Sequence, residues 1–263
     1  MGIVRLDPSE VHQIAPLFAG WQESVIWSCL QGVMGEAWAD NKTDPKSARI
    51  ILGDFCYLAG EVDRALITEK PKERASDFII MVPESAGSES WSKEIESVYQ
   101  ERCKRVERYA IKKEPGIFDR DHLVQITEGL LEGYEMKRID EALFWQTREA
   151  GWAKDFTAQF HSYEDYRDRG LGVAVCKNGE LVSAASSYSV YKGGIEVEIA
   201  TRTDHRRKGL ALACGARLVL ECMDLGLYPS WDAQNMWSVA IAKKLGYHFD
   251  KAYTAYEVSA FGA

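Results

Sequence analysis

The clearest pattern of apolar and polar side chains lies between residues 195 and 226. Over residues 195–200, branched apolar residues alternate with glutamates and one alanine, which is the period of two expected for a β-strand. A polar turn follows. From residue 210 to 223 the pattern changes to a long apolar run with helical spacing, and Gly226 is expected to end that helix. The pattern therefore predicts a strand, a turn and a helix in succession.

The rest of the chain gives weaker patterns of the same two kinds. A helical region over residues 8–32 is expected to be kinked or split at Pro16. Further helices are predicted over residues 63–69, 91–99 (with Ser90 as the N-cap), 120–131, 142–150, 153–160 and 163–169. Strands are predicted over residues 35–39, 48–52, 55–58, 78–82, 105–111 and 133–139. A hairpin with the turn Asn178-Gly179 joins residues 172–176 and 180–188, and a pair of strands closes the chain over residues 247–258.

Length and charge limit the classes of function. The chain has 263 residues, which suggests one to two domains, and 46% of them are hydrophobic. A formal net charge of −8 argues against a nucleic-acid partner because it implies no broad basic surface. No apolar run approaches the ~20 residues of a membrane span, so no membrane partner is expected.

The cysteines indicate neither a metal site nor a redox motif. All six are scattered along the chain, and no two form a Cys-x-x-Cys pair. Free thiols fit a reducing compartment. The first residues carry no signal-peptide pattern. We therefore expect a cytoplasmic protein without a bound metal.

The turn before the long helix has the chemistry of an anion site. Three consecutive cations, Arg206, Arg207 and Lys208, precede Gly209. The first N–H groups of a helix have no partner within it and, with the helix dipole, favour a phosphate. Gly209 would let a phosphate approach closely because it has no Cβ. Taken alone, however, three cations in a turn are more often a solvated corner.

Residues further along the chain favour the anion site. Residues 206–211, Arg-Arg-Lys-Gly-Leu-Ala, resemble motif A of the GNAT superfamily of acyl-CoA-dependent N-acetyltransferases, Arg/Gln-x-x-Gly-x-Gly/Ala. Asn235, then Ser238, then a helical run that ends in Leu245-Gly246-Tyr247, look like motif B of the same superfamily. Both motifs occur in the expected order and spacing. The resemblance covers the C-terminal half, residues 130–263.

The resemblance implies the fold class, α/β (α+β). Residues 130–263 would form a mixed, mostly antiparallel sheet flanked by helices, preceded by an N-terminal α/β domain over residues 1–125. The N-terminal elements follow a similar order, so that domain is either a degenerate copy of the same fold or an unrelated α/β domain that covers the acceptor site. No Arg-x-x-Gly-x-Gly/Ala motif occurs between Leu58 and Leu66. A degenerate copy is therefore not expected to bind a cofactor.

The resemblance also implies acetyl-CoA as cosubstrate and an amine as acceptor. The pantetheine arm would lie where the strand splays, near Ile199, Ala200 and Thr201, with Asn235 and Ser238 lining it from the second helix. The pyrophosphate would sit on the backbone of the turn and the helix start. The residues concerned there are Arg206, Arg207, Lys208, Gly209, Leu210 and Ala211. A primary amine attacks the thioester directly, so the protein must orient both groups and remove a proton.

The catalytic base has three carboxylate candidates. Glu198 is preferred, followed by Glu196 on the same strand face and by Asp232, and each could instead be an ordinary surface carboxylate. His205 is a further candidate, although a lone histidine in a cationic turn is more often solvated. The superfamily frequently has a tyrosine seven residues after the motif B asparagine, to protonate the leaving thiolate. Here that position is Ala242, which departs from the pattern.

Three functions remain open on these grounds. The first is an N-acetyltransferase, which we favour. The second is a non-catalytic acyl-CoA-binding or regulatory protein, suggested by Ala242. The third is a two-domain interaction protein that binds no CoA. The sequence names neither the acceptor amine nor the oligomeric state, for which a homodimer is one candidate.

Overall fold

The computed structural model describes residues 2–69, 78–82 and 88–259. The first elements, in chain order, are β1 (Val4–Leu6), α1 (Ser24–Leu30), β2 (Glu36–Ala39), β3 (Ser47–Leu52), β4 (Phe55–Gly60), α2 (Arg64–Thr68), β5 (Phe78–Met81), α3 (Ser88–Tyr99) and β6 (Cys103–Ile111). Those that follow are α4 (Arg120–Glu128), β7 (Glu135–Arg138), α5 (Glu141–Glu149), α6 (Tyr163–Arg169), β8 (Gly172–Lys177), β9 (Glu180–Tyr191), β10 (Gly194–Thr201), α7 (Leu210–Leu225), β11 (Tyr228–Ser230), β12 (Asp232–Ala233), α8 (Met236–Lys244) and β13 (Phe249–Val258).

These elements form two compact units. One contains residues 1–108 and 252–263, and the other contains residues 109–251. The unit boundaries therefore fall inside β6 and β13. The predicted division at residues 125–130 into separately folding domains stays a prediction.

The first unit is built on a mixed sheet in the order β1-β2-β3-β4-β5-β13-β6. Its first four strands are antiparallel neighbours, β5 runs parallel to β4, and β13 runs antiparallel to β5. Trp91 is fully buried against this sheet and its Nε1 donates to the carbonyl oxygen of Gly60 at 3.0 Å. Arg49 is also buried, where its guanidinium donates to two backbone carbonyls and lies over the ring of Trp38. The Trp91 N–H and the Arg49 Nη1 are thus satisfied, whereas Arg49 Nε has no hydrogen-bond partner among the described residues.

The second unit is built on a sheet in the order β11-β10-β9-β8-β7, in which only β10 and β11 are parallel. Helix α7 packs on one face of this sheet. A Cβ on Gly215 would lie 2.9 Å from Leu245 Cδ1 and 3.3 Å from Ile199 Cδ1, so glycine permits this close approach. On the other face, the hydroxyl of Ser186 bonds the carbonyl oxygen of Phe156 and the hydroxyl of Tyr166, both at 2.8 Å.

The predicted fold class, a mixed and mostly antiparallel sheet flanked by helices, is confirmed. Both units show the same succession of four antiparallel strands followed by a parallel one. This succession supports the interpretation of the N-terminal half as a copy of the C-terminal half, which stays a prediction.

Several predicted elements are confirmed and three are wrong. The region around Pro16 is split as predicted, into a 3-10 helix (Val11–Phe18) and α1. Residues 153–160 form only a short 3-10 helix (Lys154–Phe156), which ends at Thr157, a residue with φ −137°, outside the helical region, that bonds Thr147 and Arg148. The closing strand pair is one continuous strand, since no turn-forming Gly, Pro or Asn interrupts residues 249–258. Ser90 lies inside α3 rather than at its cap, and Gly87 is outside the described residues.

Candidate active site

Strands β10 and β11 run side by side for three residues and then separate. Their parallel pairing ends where Glu196 lies opposite Ser230. Beyond this point β10 stays paired with β9 as far as Thr201, whereas β12 pairs with the end of β6. A fork therefore opens between residues 197–201 of β10 and the chain after Ser230. Along the fork, the edge of β10 has no strand partner among the described residues, so its backbone groups can bond a ligand.

The three residues predicted to line the pantetheine arm lie on this edge. They are Ile199, Ala200 and Thr201, the last residues of β10. The side chain of Ile199 packs toward α7 at Gly215, which leaves its backbone to the fork. The hydroxyl of Thr201 is 2.7 Å from that of Ser183 on β9. Backbone groups, rather than side chains, are thus what β10 offers a ligand here.

A register shift marks the base of the fork. Glu196 pairs with Ser189 of β9, but the next residue, Val197, pairs with Ser187, so Tyr188 is an extra residue in the ladder. A β-bulge of this kind re-aims neighbouring side chains and backbone groups, and bulges are over-represented next to active sites. Ser189 is fully buried, and its hydroxyl has no hydrogen-bond partner among the described residues. An unsatisfied buried hydroxyl of this kind points to a contact with a water or a ligand atom.

The three candidate bases surround the fork. Glu196 and Glu198 are half-buried and alternate with Val197, so they lie on one face of β10, the face opposite α7. Glu198 pairs with Ser186, which bonds Phe156 and Tyr166 on that face. Asp232 is on β12, two residues beyond the last β10–β11 pair. The two sides of the fork therefore carry Glu198 and Asp232 respectively, with Glu196 at the base.

Tyr191 and Ser230 meet directly below the fork. The hydroxyl of Tyr191, at the end of β9, is 3.0 Å from that of Ser230, at the end of β11. Both lie on the Glu196 face, because Tyr191 pairs with Gly194 two residues before Glu196. Burial raises the pKa of Tyr191 to about 12, and the Ser230 hydroxyl partly offsets this. Tyr191 is therefore a protonated phenol at neutral pH.

The turn after β10 leaves the start of α7 open. The residue before each of five helices caps it with a side-chain oxygen; these residues are Asp63, Asp119, Asp140, Ser162 and Asn235. Helix α7, the longest of those described, starts instead after Gly209, which is left-handed (φ 77°) and has no side chain. Its first intrahelical bond runs from the Ala213 N–H to Gly209. The preceding N–H groups are therefore available to an anion.

The predicted cations lie in this turn. Arg206 donates from Nε to the carbonyl oxygen of Thr201 at 3.3 Å, which ties the turn to the end of β10. Arg207 is left-handed, with φ 60°, an uncommon conformation for a residue with a side chain. No carboxylate of the described residues pairs with Arg206, Arg207 or Lys208. Their charges are thus uncompensated in an otherwise acidic chain. Leu210 is buried and Ala211 half-buried in the first turn of α7.

The expectation that His205 is solvated is wrong. His205 is buried, and its ring is held between the hydroxyl of Tyr134 and the guanidinium of Arg202. Burial lowers its pKa below the ordinary value of 6.5; nearby Asp204 opposes this and Lys208 adds to it. A neutral histidine with both ring nitrogens engaged is a structural part of the turn rather than a base at the fork.

Helix α8 supplies the motif B residues. Asn235 is its cap, and the Asn235 side-chain oxygen accepts from the N–H groups of Trp237 and Ser238 at 3.0 Å. The Ser238 hydroxyl accepts from Trp231 Nε1 at 3.0 Å. Both predicted cofactor residues therefore also hold the start of the helix in place. Ala242 is fully buried, so a methyl group in the core fills the position that tyrosine often takes.

Tyr247, at the end of motif B, is a core residue. It is buried, and its hydroxyl donates to the carbonyl oxygen of Pro229 at 2.7 Å. Five residues at or near the site were not predicted: Tyr134, Lys177, Ser189, Tyr191 and Ser230. Their positions depend on strand register and on the bulge. The only local signals of unusual backbone are Gly133, directly before Tyr134, and Gly193, two residues after Tyr191.

Two features of the described part of the chain concern metals and membranes. No cluster of three or more His, Cys, Asp or Glu side chains suited to a metal ion occurs there. Within the same residues, no helix combines the length and the apolar character needed to cross a membrane.

The chain is similar along almost its whole length to proteins described as N-acetyltransferases or as N-acetyltransferase-like. It is 27% identical over 242 residues to an uncharacterized N-acetyltransferase of Bacillus subtilis (strain 168), YdfB, with 88% of each chain covered. The crystal structure of a GCN5-related N-acetyltransferase-like protein from Streptococcus suis 89/1591 is 40% identical, with a TM-score of 0.87 over 95% of this chain and 98% of that one. A tandem GNAT protein of the clavulanic acid biosynthesis pathway shares the fold alone, with a TM-score of 0.59 at 9% identity over 99% of both chains.

The family assignment rests on more than the two motifs. The model of the GNAT acetyltransferase family matches residues 15–256. This match overturns the restriction of the resemblance to the C-terminal half, since it includes nearly all of the first unit. A fork between two parallel strands, a motif A turn and a motif B helix agree with that match. The chain belongs to the GNAT acetyltransferase family.

Proposed function

We propose that this enzyme transfers the acetyl group of acetyl-CoA to an amine by direct attack of the amine on the thioester. The observation that carries the proposal is the start of α7. The longest described helix begins without a side-chain cap, at a left-handed glycine, behind three cations with no carboxylate partner. An anion with several acceptor oxygens, such as a pyrophosphate, would satisfy both the N–H groups and the charges.

Because that turn lies at the end of β10, its position determines where the other parts of acetyl-CoA would lie. A pyrophosphate on the backbone of residues 206–211 would direct the pantetheine arm along the open edge of residues 199–201. Asn235 and Ser238 would approach it from α8. The acetyl group would then reach the base of the fork, where the bulge, Ser189 and Glu196 lie.

The first unit does not offer a comparable site at the corresponding turn. Helix α2, which follows β4, has only five residues, and the carboxylate of Asp63 caps it by accepting from the Ala65 N–H at 2.8 Å. A phosphate at that position would meet a carboxylate. We infer that acetyl-CoA binds in the second unit only.

In the reaction the amine nitrogen loses two protons in all, and the departing thiolate gains one. An alkyl amine reaches the site mostly as an ammonium, because its pKa is about 10.4. Glu198 takes that proton directly or through water. The amine nitrogen then attacks the carbonyl carbon. As the C–S bond breaks, the attacking nitrogen loses its second proton to water, and the products are an amide and a CoA thiolate. Since Ala242 provides no acid, water protonates the thiolate, whose pKa of about 8.5 makes this step easy.

Two experiments test the proposal. Calorimetric titration with acetyl-CoA should show binding, and the variant Arg206→Ala should weaken it, with Lys192→Ala as an exposed control at the other end of β10. Thiol release with a panel of small amines should then show turnover. Failure to bind acetyl-CoA would overturn the proposal. Binding without turnover for any amine would favour an acyl-CoA-binding protein instead. The acceptor, the cytoplasmic location and the oligomeric state stay predictions.

A further inference from the structure

A tyrosine just before β7 connects the motif A turn to the tip of the β8–β9 hairpin. The hydroxyl of Tyr134 is 2.9 Å from His205 Nδ1 and 3.3 Å from Lys208 Nζ. Lys177, the last residue of β8, places its Nζ 5.0 Å from the centre of the Tyr134 ring. Two lysines from different elements thus converge on one half-buried phenol.

Within this network, the hydroxyl proton of Tyr134 has no acceptor. The guanidinium of Arg202 can only donate, and its Nη2 is 3.1 Å from His205 Nε2. The Asp204 carboxylate is farther from Nε2, at 3.4 Å, and already accepts two bonds from Arg202, so we assign Nε2 as an acceptor. His205 is then neutral and donates from Nδ1 to Tyr134. Since Lys208 also donates to Tyr134, both lone pairs of the hydroxyl oxygen are occupied. Its own O–H must find an acceptor elsewhere.

The charges around Tyr134 also favour an anion. Arg202 is neutralised by Asp204 at 2.8 Å and by Glu180 at 3.1 Å. Lys177 and Lys208, in contrast, contact the Tyr134 ring and have no carboxylate partner among the described residues. Two cations and one unused O–H donor beside an anion site are what a second phosphate group would require.

We propose that Lys177, Lys208 and Tyr134 form a subsite for a phosphomonoester, and that it holds the 3′-phosphate of CoA. This inference rests on the proposed function. The pyrophosphate is assigned to the backbone N–H groups at the start of α7, so a cluster that includes the β8–β9 hairpin is left for the other phosphate of the same molecule. At neutral pH that group carries a charge of about −1.5 to −2, enough for both lysines.

Comparison of CoA with 3′-dephospho-CoA tests the subsite, because the two ligands differ only in this phosphate. By titration calorimetry, the wild-type protein should bind CoA about 10 to 100 times more tightly. Lys177→Ala should reduce that ratio to about 3 or less by weakening CoA while leaving dephospho-CoA almost unchanged. Lys192→Ala, on the turn at the other end of β9, is the matched control and should keep the wild-type ratio.

Each possible result of this comparison leads to a different conclusion. Equal affinity of the wild-type protein for the two ligands overturns the subsite but leaves the proposed function intact. An equal loss of both ligands in Lys177→Ala also overturns it, since the lysine would then act on the pyrophosphate or through a general field. If the wild-type protein binds neither ligand, the proposed function itself fails. Thermal unfolding of each variant shows whether it is folded. Lys208→Ala should also lower the ratio, but together with the affinity for both ligands, because its charge lies in the pyrophosphate turn as well.

Discussion

The hydroxyl of Tyr191 reaches that of Ser230 at 3.0 Å by passing over Gly194, the first residue of β10. A Cβ on Gly194 would lie 2.3 Å from the Tyr191 hydroxyl and 2.3 Å from the carbonyl oxygen of Tyr228. The bond thus joins β9 to β11 across the strand between them, just below the fork. The Tyr191–Ser230 hydrogen bond can form in this position because residue 194 is a glycine and has no Cβ.

Replacement of Gly194 by alanine should therefore lower stability. We expect a loss of about 1–3 kcal/mol in the free energy of unfolding, because the added methyl group overpacks the site. The double variant Gly194→Ala/Tyr191→Phe should not recover it, since the Tyr228 backbone remains in the way. Denaturant unfolding measures both. Gly151→Ala, where no atom lies within 4 Å of the added Cβ, is the control. Wild-type stability in Gly194→Ala would contradict the close contact.

The two glycines that flank α7 allow the effect of backbone strain on stability to be measured separately from the effect on CoA binding. Gly209 (φ 77°) and Gly226 (φ 66°) are both left-handed, and nothing lies within 4 Å of a Cβ added to either. Alanine at each should therefore cost a similar amount of stability, about 1–2 kcal/mol. Only Gly209→Ala should also weaken CoA binding, because it distorts the turn that holds the pyrophosphate. Equal CoA affinity in the two variants would count against the assigned turn.

Conservative replacement of the carboxylates at the fork should identify the base. Glu198→Gln should lower kcat by roughly 10²-fold and leave the Kd of CoA nearly unchanged, since it removes a proton acceptor but little volume. The kcat–pH profile of the wild-type enzyme should show one ascending limb and no steep alkaline descent. Glu196→Gln and Asp232→Asn are the matched comparisons. Wild-type turnover in Glu198→Gln, with a loss in one of these, would move the role to that residue.

The neutral His205 should make stability depend on pH. Burial lowers its folded-state pKa below 6.5, so the unfolded chain binds a proton first as the solution is acidified. The free energy of unfolding should therefore fall as the pH decreases from 6.5 toward the folded-state pKa, and level off below it. Unfolding curves of the wild type and of His205→Gln at several pH values compare the slopes. An equally steep slope in the variant would show that His205 is not responsible.

Sequence patterns predicted most of the strands and helices because these depend on local periodicity. The β10–turn–α7 segment is the best example, where alternation, Gly209 and Gly226 each fix one boundary. The helix predicted over residues 153–160 failed for a non-local reason. Thr147 and Arg148, on another helix, bond the hydroxyl and the carbonyl oxygen of Thr157, which has φ −137°, outside the helical region.

The candidate site was predictable only in its motif residues. Gly209 and Asn235 stand in short motifs with a local backbone role, so their spacing identifies them. Tyr191 and Ser230 are 39 positions apart and meet only because β10 lies between their strands. The burial of His205 likewise depends on Tyr134, 71 positions earlier. Contacts of this range follow from register and bulges, which no single stretch of sequence specifies.

The position of β13 has a consequence for how the protein is made. This strand completes the sheet of the first unit beside β5, yet residues 109–248 of the second unit precede it in the chain. A ribosome must therefore synthesise the second unit before the first can close. Until then the edge of β5, with the buried Phe78 and Ile80, stays unpaired in the nascent chain. A truncated product of residues 1–108 should consequently aggregate or engage chaperones rather than fold.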